Sequence, residues 1–272
     1  MILSAVDPYA SARTASRREF LYALNPLAKI AGVLPAMLLL VFVRDLATPA
    51  VFLVLSCAVL LAGARLTRRI AALLFLAMPL GILLIGLGFS LWVDAGLVSD
   101  SVPLLRLGGW TLYAGALEIG LATGLRLGAI LALALIGGLT STGPDLVRAS
   151  VQQLRVPYRI GYTALAAFRF VPRFGHELAV IRAAHRVRGH HGGRGPFARI
   201  ARGWGYIVPL LAGAIRHAER VALAMDARAF GAHPTRTERH LVPFRTRDGV
   251  FILLCLAVSA AVFLALSPWQ LP

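Results

Sequence analysis

Long apolar runs, separated by short polar segments, occupy the first half of the chain and recur near its end. A run predicts a membrane-spanning helix when it approaches the roughly 20 residues that cross a hydrocarbon core of about 30 Å. Arg44 and Asp45 separate the first two runs, which predict a helical hairpin, and a membrane helix accommodates Pro79 in the third run with a kink. The predicted spans are residues 28–43, 47–64, 70–93, 112–141 and 250–266.

Between the last two spans, residues 143–248 contain no convincing span. The segment is too long for a connecting loop and its apolar pattern is too regular for a disordered chain. We therefore predict a layer of amphipathic helices. These cover residues 142–154, ended by Pro157, residues 158–188, interrupted at Pro172, and residues 209–228, with a glycine-rich turn at 189–195.

Composition supports an all-α, polytopic membrane protein. Of the 272 residues 58% are apolar and 15% charged, with a mean hydropathy of +0.75, which excludes a disordered chain and argues against a water-soluble globule. The two cysteines, Cys57 and Cys255, lie within apolar runs, so we expect neither a disulfide framework nor a cysteine metal site. We predict three parts: four spans in residues 1–142, a helical layer in 143–248 and a last span in 249–272.

The charge of the chain is unbalanced, and its distribution predicts the orientation in the membrane. There are 28 basic residues, all arginine except Lys29, against 12 acidic residues, and eighteen of the basic residues lie in residues 143–247. Because cytoplasmic segments carry the excess of basic residues, we predict a cytoplasmic N terminus, an external C terminus and a helical layer on the cytoplasmic face of the cell membrane. Residues 1–26 lack the apolar core of a signal peptide, so we expect them to be retained.

Two of the predicted helices in residues 143–248 end in a similar way. Each carries a glutamate followed 12 residues later by a glycine, and each has an arginine near its end. A single such end is explained by an arginine that complements the helix dipole and a glycine that supplies a left-handed stop. Two matched ends favour a paired docking surface. The residues are Glu177, Arg188 and Gly189 in the first end, and Glu219, Arg228 and Gly231 in the second, where Ala227 and Ala229 flank the arginine.

Further short motifs occur in a distinctive order along most of the chain. They are Leu24-Asn25-Pro26-Leu27-Ala28-Lys29, Thr140-Ser141-Thr142-Gly143-Pro144-Asp145-Leu146, Leu154-Arg155-Val156-Pro157, and Phe168-Arg169-Phe170-Val171-Pro172 ahead of Glu177. In this order they resemble the transmembrane T component of energy-coupling factor transporters, the vitamin and trace-metal importers driven by ATP-binding cassette ATPases. The helix ends depart from the paired Ala-Arg-Gly motifs of that family, since only the arginine is common to Val187-Arg188-Gly189 and Ala227-Arg228-Ala229.

The resemblance implies a mechanical, non-catalytic role. In that family two cytoplasmic coupling helices insert their motifs into two ATPase subunits, separate or fused, and pass ATP-driven motion to a substrate-binding S component for micronutrient uptake. It also implies that the partners bind ATP and that this chain holds no cofactor. The implied docking residues are Arg188, Gly189, Ala227, Arg228, Ala229 and Gly231, and the implied supporting residues are Arg169, Pro172, Glu177 and Glu219.

Arg126 lies inside the fourth predicted span, where a charged side chain is costly and marks a functional site or a helix contact. Glu118 precedes it by eight residues, which places it about 12 Å away along a helix and about 80° around it. We therefore expect no direct ion pair between them. We expect Arg126 to tie helices together through carbonyl or other polar groups, or to meet the S component.

The sequence disfavours other kinds of site. It has no Gly-x-x-x-x-Gly-Lys-Ser/Thr loop, so ATP hydrolysis belongs to another subunit. His176, His185, His190 and His191 have no carboxylate or cysteine at zinc-site spacing, so we expect no metal site. The basic segment lacks the interleaved aromatic residues of a nucleic-acid surface. The open alternatives are an integral membrane enzyme acting on an anionic lipid or nucleotide, and a permease with its own substrate site.

Overall fold

The computed structural model describes residues 20–65, 67–94, 96, 98, 101–107, 110–189 and 195–266. These residues divide into two compact units, which are described separately. The inserted unit is residues 143–241, and the membrane unit is residues 20–142 together with 242–266. Residues 1–26, which we expect to be retained, lie mostly outside the described residues. The domain boundaries at residues 142 and 248 remain predictions.

Helices form most of the described chain, with a short hairpin before the longest span. A 3-10 turn, Phe20–Ala23, precedes the first helix, and strands β1 (Pro103–Leu107) and β2 (Trp110–Tyr113) form the hairpin. The described helices are α1 (Pro26–Leu40), α2 (Ala47–Gly63), α3 (Arg68–Ala72), α4 (Met78–Ser90), α5 (Ala114–Thr140), α6 (Gly143–Gln153), α7 (Tyr158–Val187), α8 (Pro196–Asp226) and α9 (Thr246–Leu266).

Every predicted span coincides with helical structure whose ends lie within four residues of the predicted ones. By length and composition, the described helices that can cross a membrane are Ile70–Ser90, Ala114–Thr140 and Thr246–Leu266. Helices α1 and α2 are shorter apolar helices of 15 and 17 residues. At 1.5 Å per residue, α1 is only about 22 Å long.

Local sequence explains where the first helices begin. The Asn25 side chain accepts a hydrogen bond from the Leu27 N–H at 2.9 Å, and Pro26 occupies the first helical position, where no N–H is needed. Ahead of α2, the Asp45 carboxylate accepts hydrogen bonds from the backbone N–H and the hydroxyl of Thr48, at 2.8 and 2.7 Å. The Asn25 cap thus fixes the start of α1, and the Asp45 hydrogen bonds fix the turn between the first two spans.

The third span contains a π-helical segment, Leu73–Ala77, between α3 and α4. Pro79 follows directly, and its ring would crowd the carbonyl group four residues earlier in a regular helix. The wider turn, in which the Met78 N–H donates to the Leu73 carbonyl, gives that ring room.

Glycines on α5 let its backbone approach that of α4 closely. A Cβ built on Gly124 would lie 2.5 Å from the carbonyl oxygen of Ile82, and one built on Gly120 would collide with the carbonyl oxygen of Gly86. Small residues four positions apart allow close van der Waals packing between membrane helices. The Gly-x-x-x-Gly spacing is visible in the sequence, yet it formed no part of the predictions above.

The hairpin is the element that the sequence predictions missed. Strand β1 pairs with β2 in an antiparallel register that places Leu105 opposite Leu112 and Leu107 opposite Trp110. The predicted fourth span, residues 112–141, included the last two residues of β2, and no element was predicted for residues 103–111. The Gly108-Gly109 dipeptide between the strands is a sequence signal typical of a hairpin.

In the inserted unit, two helix predictions need correction. Helix α7 continues through Pro172 without the predicted interruption, and α8 begins at Pro196 rather than near residue 209. The prediction placed Pro209 at a helix start, because proline favours the first turn. Pro196 takes that position instead, and Pro209 lies inside the helix.

Candidate functional site

Helices α7 and α8 form an antiparallel pair in the inserted unit. Phe170 stacks on His217 with ring centroids 4.6 Å apart, and His185 packs edge-on against Tyr206 at 5.3 Å. The C-terminal ends of α7 and α8 therefore lie at opposite ends of the pair. At a rise of 1.5 Å per residue they are roughly 40 Å apart along the helix axis.

The first of the two helix ends is that of α7, at Arg188. This residue is the C-cap of α7, with φ −74° and ψ 3°, and it is exposed. Gly189 follows in the left-handed region, with φ +73°, and its N–H donates to the Arg186 carbonyl at 3.1 Å. The glycine reverses the backbone without a Cβ penalty, so the arginine is left at the tip of the helix.

The second helix end also has a left-handed residue directly after its arginine, Arg228, although here the C-cap of α8 is Ala227. Ala229 adopts a left-handed φ of +53°, and its N–H donates to the Asp226 carbonyl at 2.9 Å. The Phe230 N–H donates to the Met225 carbonyl at 3.0 Å, which completes a Schellman-type stop. Arg228 is exposed and precedes the left-handed residue, as Arg188 does.

The backbone distinguishes between the two alignments of these ends that the sequence offers. The matched spacing from Glu177 and Glu219 pairs Gly189 with Gly231, whereas the left-handed conformation pairs Gly189 with Ala229. Gly231, with φ +91°, makes a separate turn, and its carbonyl accepts a hydrogen bond from the Arg159 guanidinium. The equivalence of the two arginines rests on geometry rather than on the spacing from the glutamates.

Ala229 holds a conformation that costs an L-residue roughly 1–2 kcal/mol. We expect Ala229→Gly to raise the free energy of unfolding by about 1 kcal/mol, since glycine adopts positive φ freely. Ala227→Gly is the matched control, because Ala227 has a right-handed φ of −60° and glycine should destabilise there by about 0.5–1 kcal/mol. Thermal unfolding of the purified variants measures both changes in stability. A change of the same sign in the two variants would contradict the left-handed conformation assigned to Ala229.

The segment after α8 folds back onto the start of α7. Tyr158 donates a hydrogen bond to the carbonyl of His233 at 2.6 Å, and the Tyr162 hydroxyl donates to Glu238 at 2.6 Å. The Arg236 guanidinium lies 4.2 Å from the centre of the Tyr162 ring. Burial raises the pKa of Tyr162 above its ordinary value, and the bond to Glu238 raises it further, so this tyrosine stays a donor at neutral pH. These contacts anchor the second helix end.

A basic groove of about 1200 Å³ opens beside that end. Among its described lining residues, seven are arginines and one, Glu238, carries a carboxylate. Such a concentration of positive charge attracts acidic surfaces. The lining arginines are Arg148, Arg169, Arg173, Arg220, Arg228, Arg236 and Arg239.

The predicted supporting residues occupy different positions. Arg169 lines the groove, and Pro172 lies inside α7 with its surface exposed. Glu177 pairs with Arg173 one turn earlier, with an oxygen to Nε distance of 3.3 Å. Glu219 is exposed on α8. The structure thus does not bring these four residues into one cluster.

In the membrane unit, Arg126 spans a helix contact. Its Nη1 donates to the carbonyl of Val41, just after α1, at 3.2 Å, and its Nη2 lies 3.5 Å from the Thr123 hydroxyl. Glu118 is exposed on the same helix. Arg126 therefore joins α5 to the end of α1 through a carbonyl, which is the kind of contact expected from the sequence.

The histidines do not form a cluster in the described chain. His185 is engaged with Tyr206, while His190 and His191 lie outside the described residues. Across residues 20–65, 67–94, 110–189 and 195–266, no group of three His, Cys, Asp or Glu side chains has metal-site geometry.

The family model of CbiQ, described as a cobalt transport protein, matches residues 17–239. The chain belongs to the CbiQ family. It is accordingly a helical, multi-pass membrane protein and the transmembrane component of an energy-coupling factor type transporter, a family of non-enzymatic transport subunits. CbiQ membership implies ATP-binding cassette ATPase partners, and it gives no support to the enzyme alternative.

Curated relatives of this CbiQ protein agree. It is 27% identical to the energy-coupling factor transporter transmembrane protein EcfT of Staphylococcus aureus, over 90% of this chain and 92% of that protein. The EcfT of Bacillus selenitireducens is 26% identical, over 88% and 90%. A protein of Bifidobacterium longum named as an ABC transporter ATP-binding protein is 26% identical over 96% of this chain, which spans only 34% of that longer protein.

Proposed function

We propose that this CbiQ protein carries ATP-driven movement from two ATPase subunits, separate or fused, to a membrane S component that binds a vitamin or transition-metal ion. The N terminus and the inserted unit lie on the cytoplasmic side of the cell membrane. ATP is bound by the partners, and Arg188 and Arg228 are the docking side chains.

The observation that carries this proposal is the pair of equivalent helix ends. Each presents an exposed arginine immediately before a left-handed stop, at opposite ends of one antiparallel helix pair. Two equivalent contacts suit two similar partner subunits. A guanidinium offers five donors in a rigid fork, so each arginine suits a carboxylate or a set of carbonyl groups on the ATPase.

Native mass spectrometry of the complex, purified in mild detergent through a tag on this chain, tests the arrangement. We expect one copy of this 29.1 kDa chain with two ATPase subunits, or one fused pair, and one small membrane subunit. An assembly that holds a single ATPase domain at saturating ATPase concentration would overturn paired docking.

An apolar stripe on α8 supports the proposed contact with the S component. Trp204 is 70% exposed and Val208 is 73% exposed, in contrast to the mixed surface around them. Exposed apolar residues aligned on one helix face mark a contact surface for a partner. The stripe consists of Ile200, Trp204, Val208, Leu211 and Ile215, all exposed.

We expect Val208→Asp to remove the small membrane subunit from the purified complex while both ATPase subunits remain, because a carboxylate would have to be desolvated in an apolar contact. Gly203→Asp is the control, since Gly203 lies about 140° around the helix from Val208 and a Cβ built there meets open space. Quantitative blotting measures the recovered subunits. Full recovery of the small subunit with Val208→Asp would show that the stripe is not its contact.

A further inference from the structure

In the described chain, two connections that belong to the membrane unit lead into and out of residues 143–241. The first is the end of α5, which stops at Thr140 shortly before the inserted unit begins at Gly143. The second begins at Val242, where the chain returns, and leads into α9. The groups that hold these connections therefore fix where the chain of the inserted unit joins the membrane helices.

Lys29 on α1 holds the first connection. It is 1% exposed, and its Nζ donates to the carbonyl oxygen of Thr140 at 2.9 Å, to the Thr140 hydroxyl at 3.0 Å and to the carbonyl of Leu21 at 3.0 Å. The last carbonyl groups of a helix have no partner within it and carry partial negative charge, so an ammonium group is favourable there. Lys29 thereby fastens the end of α5 to α1 and to the turn before it.

Asp248 and Asn25 hold the second connection. Asp248 is 1% exposed, and its two carboxylate oxygens accept hydrogen bonds from the backbone N–H groups of Asn25, at 2.8 Å, and Arg245, at 2.7 Å. The Asn25 side-chain amide lies 3.5 Å from the carbonyl of Val242. One buried carboxylate therefore stabilises the first turn of α9 and ties it to the residue that caps α1.

Both connections thus meet the same short stretch, residues 21–29, although they are far apart in the sequence. Buried charged groups are costly to desolvate, and apolar residues could fill the space, so the stability of the bundle alone does not require them. We propose that Lys29, Asn25 and Asp248 are positioning residues that clamp the two connections to α1, so that both connections leave the membrane unit from fixed positions beside α1. The use of this clamp in transport rests on the proposed function, whereas its rigidity does not.

Spin-label distance measurements on the full chain in lipid nanodiscs test the clamp. After replacement of Cys57 and Cys255 by alanine, one label pair joins the units, at the exposed positions 216 and 254, and a second lies within the membrane unit, at positions 54 and 254. In Lys29→Met and Asp248→Asn we expect the distance distribution of the first pair to become at least twofold wider. The second pair should keep its parent width.

Ser259→Ala is the control, because Ser259 is also buried and polar but bonds within its own helix, to the Cys255 carbonyl. Parent width at the first pair in both clamp variants, or equal widening of both pairs, would overturn the proposal. If Lys29→Met does not fold, Thr140→Val removes one of the three acceptors and should widen the first pair to a lesser extent. No ATPase is needed, so a failure of ATPase docking leaves this result standing.

Discussion

We expect Arg188→Glu and Arg228→Glu each to weaken association with the ATPase subunits at least ~30-fold, and the double variant to purify without ATPase. The expected loss is about 2–5 kcal/mol of binding free energy, which is the usual cost of breaking a hydrogen-bonded interfacial charge pair. The membrane helices remain intact, because both arginines are exposed at helix ends of the inserted unit. Binding titrations of purified ATPase to the chain in nanodiscs measure the dissociation constants.

The control for this prediction is Arg186→Glu. Arg186 is exposed in the last turn of α7, so the variant has the same charge change and the same unfavourable interaction with the helix dipole as Arg188→Glu. Arg186 points about 200° away from Arg188 around the helix axis. Docking through the two arginines is disproved if Arg188→Glu and Arg228→Glu bind the ATPase with the parent affinity. Docking through Arg188 is also disproved if Arg186→Glu weakens ATPase binding as much as Arg188→Glu does.

We expect Gly120→Ala and Gly124→Ala each to destabilise the membrane unit by about 1–3 kcal/mol, the range for overpacked cores. The added methyl groups meet backbone atoms of α4, which do not rotate away as a side chain would, so the two helices must separate. Van der Waals contact is the main attraction between membrane helices, and separation weakens it along the whole interface. Size-exclusion chromatography after heating gives the temperature at which half of the monodisperse protein is lost.

Gly138→Ala provides the comparison on the same helix. A Cβ built at Gly138 has no neighbouring atom within 4 Å, and alanine is the better helix former. We expect this variant to be as heat-stable as the parent or slightly more so. If Gly138→Ala lost as much stability as Gly120→Ala, the effect would come from backbone entropy or from membrane insertion of the helix. It would then not come from the contact with α4.

Apolar run length predicted the positions of the spans well, because a helix in lipid satisfies its own backbone hydrogen bonds and needs about the same number of apolar residues wherever it occurs. The starts of α1 and α2 follow from Asn25 and Asp45, which cap them locally. The predicted start of α8 was wrong, because two prolines, Pro196 and Pro209, are each compatible with a first turn. Only packing within the inserted unit selects between them.

The candidate site shows the same division. Arg188 and Arg228 stand out in the sequence because an arginine followed by a glycine or small residue ends each helix. The sequence offered two partners for Gly189, Gly231 by spacing and Ala229 by the motif, and it could not choose between them because a left-handed alanine has no sequence signature. The groove arginines gather because the segment after α8 folds back onto α7, which no local pattern predicts.

Apolar run length was sufficient for the positions of the apolar helices, and short motifs in a distinctive order were sufficient for the family resemblance, because each of these depends on neighbouring residues. The tertiary structure alone revealed the left-handed stops after the two arginines and the buried hydrogen bonds at the start of α1. Lys29 and Thr140 are 111 residues apart, and Asn25 and Asp248 are 223 residues apart. A buried lysine or aspartate is stable only where distant backbone groups converge to satisfy it, and that convergence exists only in the folded bundle.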